Sequence, residues 1–137
     1  MRCLWHRVSP IPVKGRARHR INGNTYTDPN TRAHLARVAE SWHDEMYDKS
    51  EPLALIIYVY QPLPKTKANL GEEPFITKPD IDNIAKAVLD GLQGVAYWND
   101  KQVVKLFIDK HPRTNQITEP YIEYLLVPAS MVGGGML

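Results

Sequence analysis

Lys78-Pro79-Asp80-Ile81-Asp82-Asn83-Ile84-Ala85-Lys86-Ala87-Val88-Leu89-Asp90-Gly91-Leu92 is the stretch from which the rest of the chain can be read. Ile81, Ile84, Ala85, Val88, Leu89 and Leu92 recur at steps of three and four, which makes them the apolar stripe of an amphipathic helix. Asp82, Lys86 and Asp90 are each four apart and stack along the opposite face. Lys78 precedes proline and is biased to extended backbone, so Asp80 or Asp82 falls at the N-cap or in the first turn. Residues two apart diverge within a helix but share a side in an extended lead-in, and two carboxylates straddling the entry can converge on one point. That arrangement suits a hard cation such as Mg2+, which takes one or two carboxylates and keeps waters and phosphate oxygens as its other ligands. The competing reading is that Asp80 and Asp82 only cap the helix and complement its dipole. Lys86 one turn on, a third acid at Asp100, and a basic segment near the N-terminus favour the site.

That basic segment is Lys14-Gly15-Arg16-Ala17-Arg18-His19-Arg20. In an extended chain Lys14, Arg16, Arg18 and Arg20 point to one side and can track a phosphate backbone; the plainer alternative is a solvated arm. The net charge of +2 conceals an asymmetry, since six of the 17 Lys and Arg residues precede Asp28, the first acid. A basic end on an acidic body fits one part that grips phosphates and another that holds metal. The length of 137 residues fits one domain, 43% hydrophobic and 23% charged residues fit a water-soluble globular chain, and no run of apolar residues is long enough to span a membrane. The N-terminus has no apolar core of signal-peptide length, and the single cysteine, Cys3, excludes an internal disulfide and a cysteine-based zinc site. A reducing cytoplasm is the expected location.

The remaining segments supply a scaffold. Residues 3–8 read as a first strand, ended by Ser9-Pro10-Ile11-Pro12. Asp28-Pro29 is a helix start, with Asp28 as N-cap, and the helix is expected to run to about Tyr47 with Leu35, Val38, Ala39, Trp42 and Met46 buried. Residues 52–60 are apolar on both faces, as in a central strand covered on both sides. Residues 61–77 hold three prolines and read as a loop, a candidate flap over a substrate. Val103–Lys110 predicts a strand with Val104, Leu106 and Ile108 on one face, paired in an antiparallel hairpin with a last strand near Tyr121–Val127. Tyr97 and Trp98 are expected in the core, with stacking on bases as the alternative. The order β-α-β-α-β-β gives an α+β (mixed α/β) fold: one mixed parallel/antiparallel sheet of about four strands with two main helices packed on it. Residues 1–128 form the single domain and 129–137 a flexible tail.

The run Lys-Pro-Asp-Ile-Asp-Asn at 78–83, Lys86, Leu89-Asp90-Gly91-Leu92, and Asn99-Asp100-Lys101-Gln102-Val103 resembles the RusA family of Holliday junction resolvases. A similar basic segment followed by a Tyr-Thr-Asp-Pro element, here Tyr26–Pro29, adds to the likeness. The resemblance implies an Mg2+-dependent endodeoxyribonuclease, with Mn2+ as a substitute metal, that resolves four-way DNA junctions in recombination and repair. It also implies that Asp80, Asp82 and Asp100 match the essential acids and metal ligands, and that Lys86 matches a functionally important lysine. Lys14, Arg16, Arg18 and Arg20 are the expected DNA contacts. A junction has twofold symmetry, so a homodimer is expected; RusA-like genes are frequent in prophages. The chain departs from the family at Asn99, where two successive acids are often found; Asp100 is taken as the ligand because Lys101-Gln102-Val103 fixes the alignment. The alternative function is a catalytically silent branched-DNA-binding protein whose acids are helix caps.

Overall fold

The computed structural model describes residues 4–15 and 29–133, together with the backbone of residues 18–19 and 25–26. In chain order the elements are β1 (His6–Val8), β2 (Arg18–His19), β3 (Thr25–Tyr26), α1 (Pro29–Ser41), β4 (Leu53–Tyr60), β5 (Glu72–Glu73), α2 (Ile81–Leu92), β6 (Val103–Lys110), β7 (Arg113–Thr114) and β8 (Tyr121–Pro128). The apolar run of β4 lies inside a four-stranded sheet of order β1-β8-β4-β6. β6 runs parallel to β4, while β8 is antiparallel to both β4 and β1. The sheet is therefore mixed, and its main elements follow the expected order β-α-β-α-β-β. A parallel pair cannot be closed by a tight turn, and α2 provides the crossover between β4 and β6.

The expected hairpin between 103–110 and the last strand does not form. β8 instead pairs with β4 from Leu53↔Pro128 to Tyr60↔Tyr121 and leaves β6 at the sheet edge. Burial gives the reason. Ile122, Tyr124 and Leu126 of β8 are sealed in the core, whereas β6 carries Lys105, Asp109 and Lys110, which an edge accommodates. Beyond an irregularity at Leu53/Ala54, Leu106 and Ile108 fall opposite Leu55 and Ile57. At the edge, however, Val104 and Leu106 stay 60% and 45% exposed.

The core lies between one sheet face and the two helices. Leu53, Leu55, Ile57 and Val59 of β4 pack with Val38 of α1 and with Ile84, Val88 and Leu92 of α2. The expected coverage of β4 on both sides is incomplete: the other face is closed over only at its start, where Ala54 is buried. Ile56, Tyr58 and Tyr60 on the other face are half-buried, with Trp5 stacked on Tyr58 and Tyr60 on Tyr121. The stripe read for α2 is shifted: Ala87 and Gly91 are buried and Ile81 is exposed. Gly91 sets how closely α1 and α2 approach, because a Cβ there would sit 2.6 Å from Val38 Cβ and 3.0 Å from the Leu35 carbonyl oxygen.

α1 stops at Ser41 rather than near Tyr47. The Ser41 hydroxyl donates to the Val38 carbonyl at 2.6 Å, a local bond that competes with continued helix. The following residues turn so that Tyr47 can dock, its amide donating to the Ala96 carbonyl and its hydroxyl to that of Leu126. The Asp28 cap lies outside the described residues. The loop 61–77 holds a short 3-10 segment, Lys65–Leu70, and the strand β5, which an ion pair from Glu73 to Arg113 fastens to β7. Beyond β8, Ala129–Met131 form a single 3-10 turn, and buried Val132 covers Ala54 and Val127. The tail read as flexible from 129 is thus folded through Val132.

Candidate active site

The start of α2 is built by its neighbours as much as by its own sequence. Asp80 is the N-cap residue in extended conformation (φ −75°, ψ 151°), yet its carboxylate makes no capping hydrogen bond. Only its backbone carbonyl joins the helix, accepting from the Ile84 amide at 3.2 Å. Asp82 stands in the first turn, exposed like Asp80. An acid at an N-cap ordinarily spends an oxygen on a backbone amide. Asp80 does not, so two exposed acids stand two residues apart in sequence at the positive end of a helix. Lys86 is exposed one turn further along. It forms no ion pair with Asp82 or Asp90, the i,i+4 partners its spacing offers; Asp90 is paired with Lys14 instead.

A residue that sequence reading missed holds this corner. Lys110, the last residue of β6, donates from Nζ to the Thr77 carbonyl at 2.6 Å and to the Pro79 carbonyl at 2.9 Å. Its ammonium also lies 4.1 Å from the centre of the Phe75 ring. Lys110 therefore straps the extended lead-in of Asp80 to the carboxyl end of the parallel pair β4/β6. Burial lowers its pKa, and the negative charge of Asp80 acts against that shift. No local motif marks Lys110, since only the parallel pairing of β4 with β6 brings it 30 residues back along the chain to Asp80.

The root of the basic segment is fixed on the same helix. The Lys14 amide donates to the Asn83 carbonyl at 3.1 Å, and the Gly15 amide to Thr31 Oγ1 at 3.1 Å, which ties the segment to α2 and α1. The Lys14 ammonium is committed to Asp90, so Lys14 reaches a phosphate only by sharing that partner. Arg18 lies in β2, whose backbone pairs with β3; Arg16 and Arg20 lie outside the described residues. Pro10, Ile11, Val13, Lys14 and Gly15 form one wall of a groove of about 510 Å³, which Lys78, Pro79, Asp80 and Asn83 close from the other side.

Asp100 is elsewhere. It opens a 3-10 turn, Asp100–Gln102, that follows the far end of α2. Asn99 caps this turn: its side chain accepts from the Lys101 amide at 2.9 Å, while Gln102 Oε1 accepts from the Trp98 and Asn99 amides. The Asp100 amide donates to Gln93 Oε1 at 3.0 Å. Nearby Tyr97 is fully buried, with its hydroxyl on the Leu89 carbonyl; burial first, then the charges of Asp100 and Asp90, push its pKa far up. Trp98, expected in the core with Tyr97, is 63% exposed beside Asp100. The 12 residues of α2, about 18 Å of helix at 1.5 Å per residue, thus separate Asp80 from the turn that carries Asp100. Accordingly, among the described residues no three His, Cys, Asp or Glu side chains within one chain come together as a metal-binding group.

A mixed four-stranded sheet with two helices on one face, uncapped acids where the crossover helix begins, and a basic segment anchored beside them define a class. The chain matches the family described as endodeoxyribonuclease RusA over residues 8–122, and it belongs to that family. It is also 32% identical over 142 residues to the uncharacterized protein YqaN of Bacillus subtilis (strain 168), a match that covers 92% of this chain and 96% of the other. No helix among the described residues is long and apolar enough to cross a membrane.

Proposed function

We propose that this chain is a divalent-metal-dependent endonuclease that resolves four-way DNA junctions by paired phosphodiester hydrolysis, in recombination and repair and in the cytoplasm. The observation that carries this reading is the state of Asp80: it occupies the N-cap of α2 and leaves its carboxylate out of the cap. The reading of these acids as mere helix caps loses its main argument there.

The donor chemistry fits a hard cation. Asp80, Asp82 and Asp100 offer only oxygen, and the first two are exposed at the start of one helix. Mg2+, or Mn2+ in its place, would be held by these acids and would supply charge neutralisation at the phosphate together with an activated water. Lys86, free of its helical ion pairs, steadies a phosphate oxygen as charge develops there. Lys14, Arg16, Arg18 and Arg20 carry the flanking phosphates, which makes binding weaken steeply with salt. Lys110 keeps the segment that ends in Asp80 in place. The enzyme acts as an isologous homodimer, because a junction presents two equivalent strands to be cut.

The deciding experiment is cleavage of a labelled synthetic four-way junction, with and without Mg2+, by the wild type and by Asp82→Asn. Paired nicks that need metal and vanish in the variant, with junction binding retained, are expected. Junction binding without cleavage in any divalent metal would overturn the reading and leave a branched-DNA-binding protein.

A further inference from the structure

The face of the sheet turned away from the two helices is open along most of its length. Val132 closes it only over Ala54 and Val127, with Ile56 and Leu125 packed alongside. Beyond that point the face is a connected row of rings. Trp5 stacks on Tyr58 with centroids 5.1 Å apart, and Tyr58 meets His111 edge-on at 4.9 Å. His111 leads to Tyr60 at 4.7 Å, and Tyr60 stacks on Tyr121 at 4.8 Å. Each ring holds its neighbour, so the row is ordered before anything binds, the condition under which aromatic side chains bind at least cost. Trp5, at the end of the row, remains 43% exposed.

Charge decides what this face can receive. Glu123 of β8 and Asp109 of β6 stand opposite Tyr58 on its two sides, about 10 Å apart across two strand spacings. Neither carboxylate has an ion pair or a hydrogen bond among the described residues. Both act on Tyr60, whose pKa is raised by burial first and by nearby charge after it. Lys105 and Arg7 on the same face are already committed: Lys105 donates to the Ala129 and Val132 carbonyls, and Arg7 pairs with Glu119 at 3.1 Å. Arg7 also shows what the rest of the row lacks. Its guanidinium lies 3.7 Å over the centre of the Tyr121 ring while Glu119 holds it, so that ring, carboxylate and guanidinium share one contact. Around Trp5 and Tyr58 the rings and two carboxylates are in place without a guanidinium.

We propose that this face docks an arginine-bearing basic segment of a partner protein, its guanidinium groups laid against the ring row and paired with Glu123 and Asp109. Arginine suits the face better than lysine, because its planar fork meets a carboxylate and an aromatic surface together. Other occupants fit worse. Two unpaired carboxylates repel phosphate, and rings turned toward one another leave few free faces on which bases could stack. A second copy packed face to face would set acid against acid. Because α2 packs on the opposite side of the sheet, the docked segment leaves the candidate active site clear.

The test is calorimetric titration of the whole chain with a short Arg-Gly repeat peptide, with its Lys-Gly counterpart and with oligo(dT). The arginine peptide should bind and the lysine peptide should bind more weakly. Glu123→Gln with Asp109→Asn, which keeps the shape of the face, should weaken the arginine peptide about tenfold, the scale of losing charge-assisted hydrogen bonds. Trp5→Ala should weaken it as well. Glu40→Gln with Glu45→Gln, which removes as much charge from exposed positions elsewhere, should leave it unchanged. Equal loss in the two double variants would reduce the contact to net charge and overturn the proposal, as would an arginine peptide that does not bind. Oligo(dT) affinity that falls in Trp5→Ala would give the face to nucleic acid, and an oligomeric state that changes in Trp5→Ala would give it to a second copy; either result overturns the proposal too. No step reads DNA cleavage, so this proposal and the nuclease reading stand or fall separately.

Discussion

The two ends of α2 solve the same local problem in opposite ways. At the far end, Asn99 and Gln102 satisfy the orphan amides of a single 3-10 turn with a reciprocal capping box, and Gln102 Nε2 reaches across to the Asp48 and Glu51 carbonyls. Asn99 Oδ1, Gln102 Oε1 and Gln93 Oε1 all accept from backbone amides there. At the near end, the N-cap position of a twelve-residue helix is held by an acid whose side chain caps nothing, and a lysine from another strand fixes the backbone instead. One end is arranged for stability; the other keeps two carboxylates available at a cost in local stability. Asn99 stands where the family often has an acid, and its place in the capping box gives it a structural role.

The comparison is broken most directly at Asp82. Asp82→Asn should lower junction cleavage by at least roughly 1000-fold, the scale of losing an electrostatic group at a reacting phosphate, with thermal stability unchanged within error. A scissile-rate assay beside a melting curve checks both, and a large drop in stability would make Asp82 structural.

Lys110→Met should reduce kcat by about 10- to 100-fold, the usual cost of a small misplacement of a catalytic group, while leaving junction affinity close to wild type. Lys110→Arg, which keeps the charge and the donors, should recover part of the loss. Equal loss of affinity and rate in both variants would show that Lys110 acts on DNA rather than on the Asp80 lead-in.

Packing under the site gives a third expectation. Gly91→Ala forces a methyl against Val38 and should destabilise the fold by about 1–3 kcal/mol, as overpacking does. Chemical denaturation reads this, and a double variant with Val38→Ala should return much of the loss. The smallest effect belongs to the far end: Asn99→Ala should cost about 1 kcal/mol, whereas Asn99→Asp, still able to accept from the Lys101 amide, should cost almost nothing. Equal melting temperatures for all three would remove Asn99 from the cap.

Much of this was visible in the chain before any folding. The three- and four-residue steps of 81–92 gave the helix, and the Pro before Asp80 gave its extended lead-in, because both are local steric effects. Strand β4 and its central place followed from an uninterrupted apolar run. What was misread depended on partners. Val103–Lys110 and Tyr121–Val127 looked like hairpin partners because they are neighbours in sequence, but β8 buries Ile122, Tyr124 and Leu126 only beside β4. Trp98 was expected inside and is exposed, since a two-residue aromatic run cannot tell which ring the turn directs to the core. α1 ended early because Ser41 and Tyr47 found bonding partners remote in sequence, among them Tyr124 and Leu126.

The sequence by itself determined that Asp80 and Asp82 stand together at a helix entry, with Lys86 a turn beyond and a basic segment upstream; spacing along one short stretch is enough for that. Only the tertiary structure decided that Asp80 leaves its cap bond unmade, that Lys110 secures the lead-in, and that α2 holds Asp100 at its opposite end. Those outcomes depend on which strand lies beside which, a choice made by burial of β8 against β4 and by the parallel return of β6, and no local spacing encodes it.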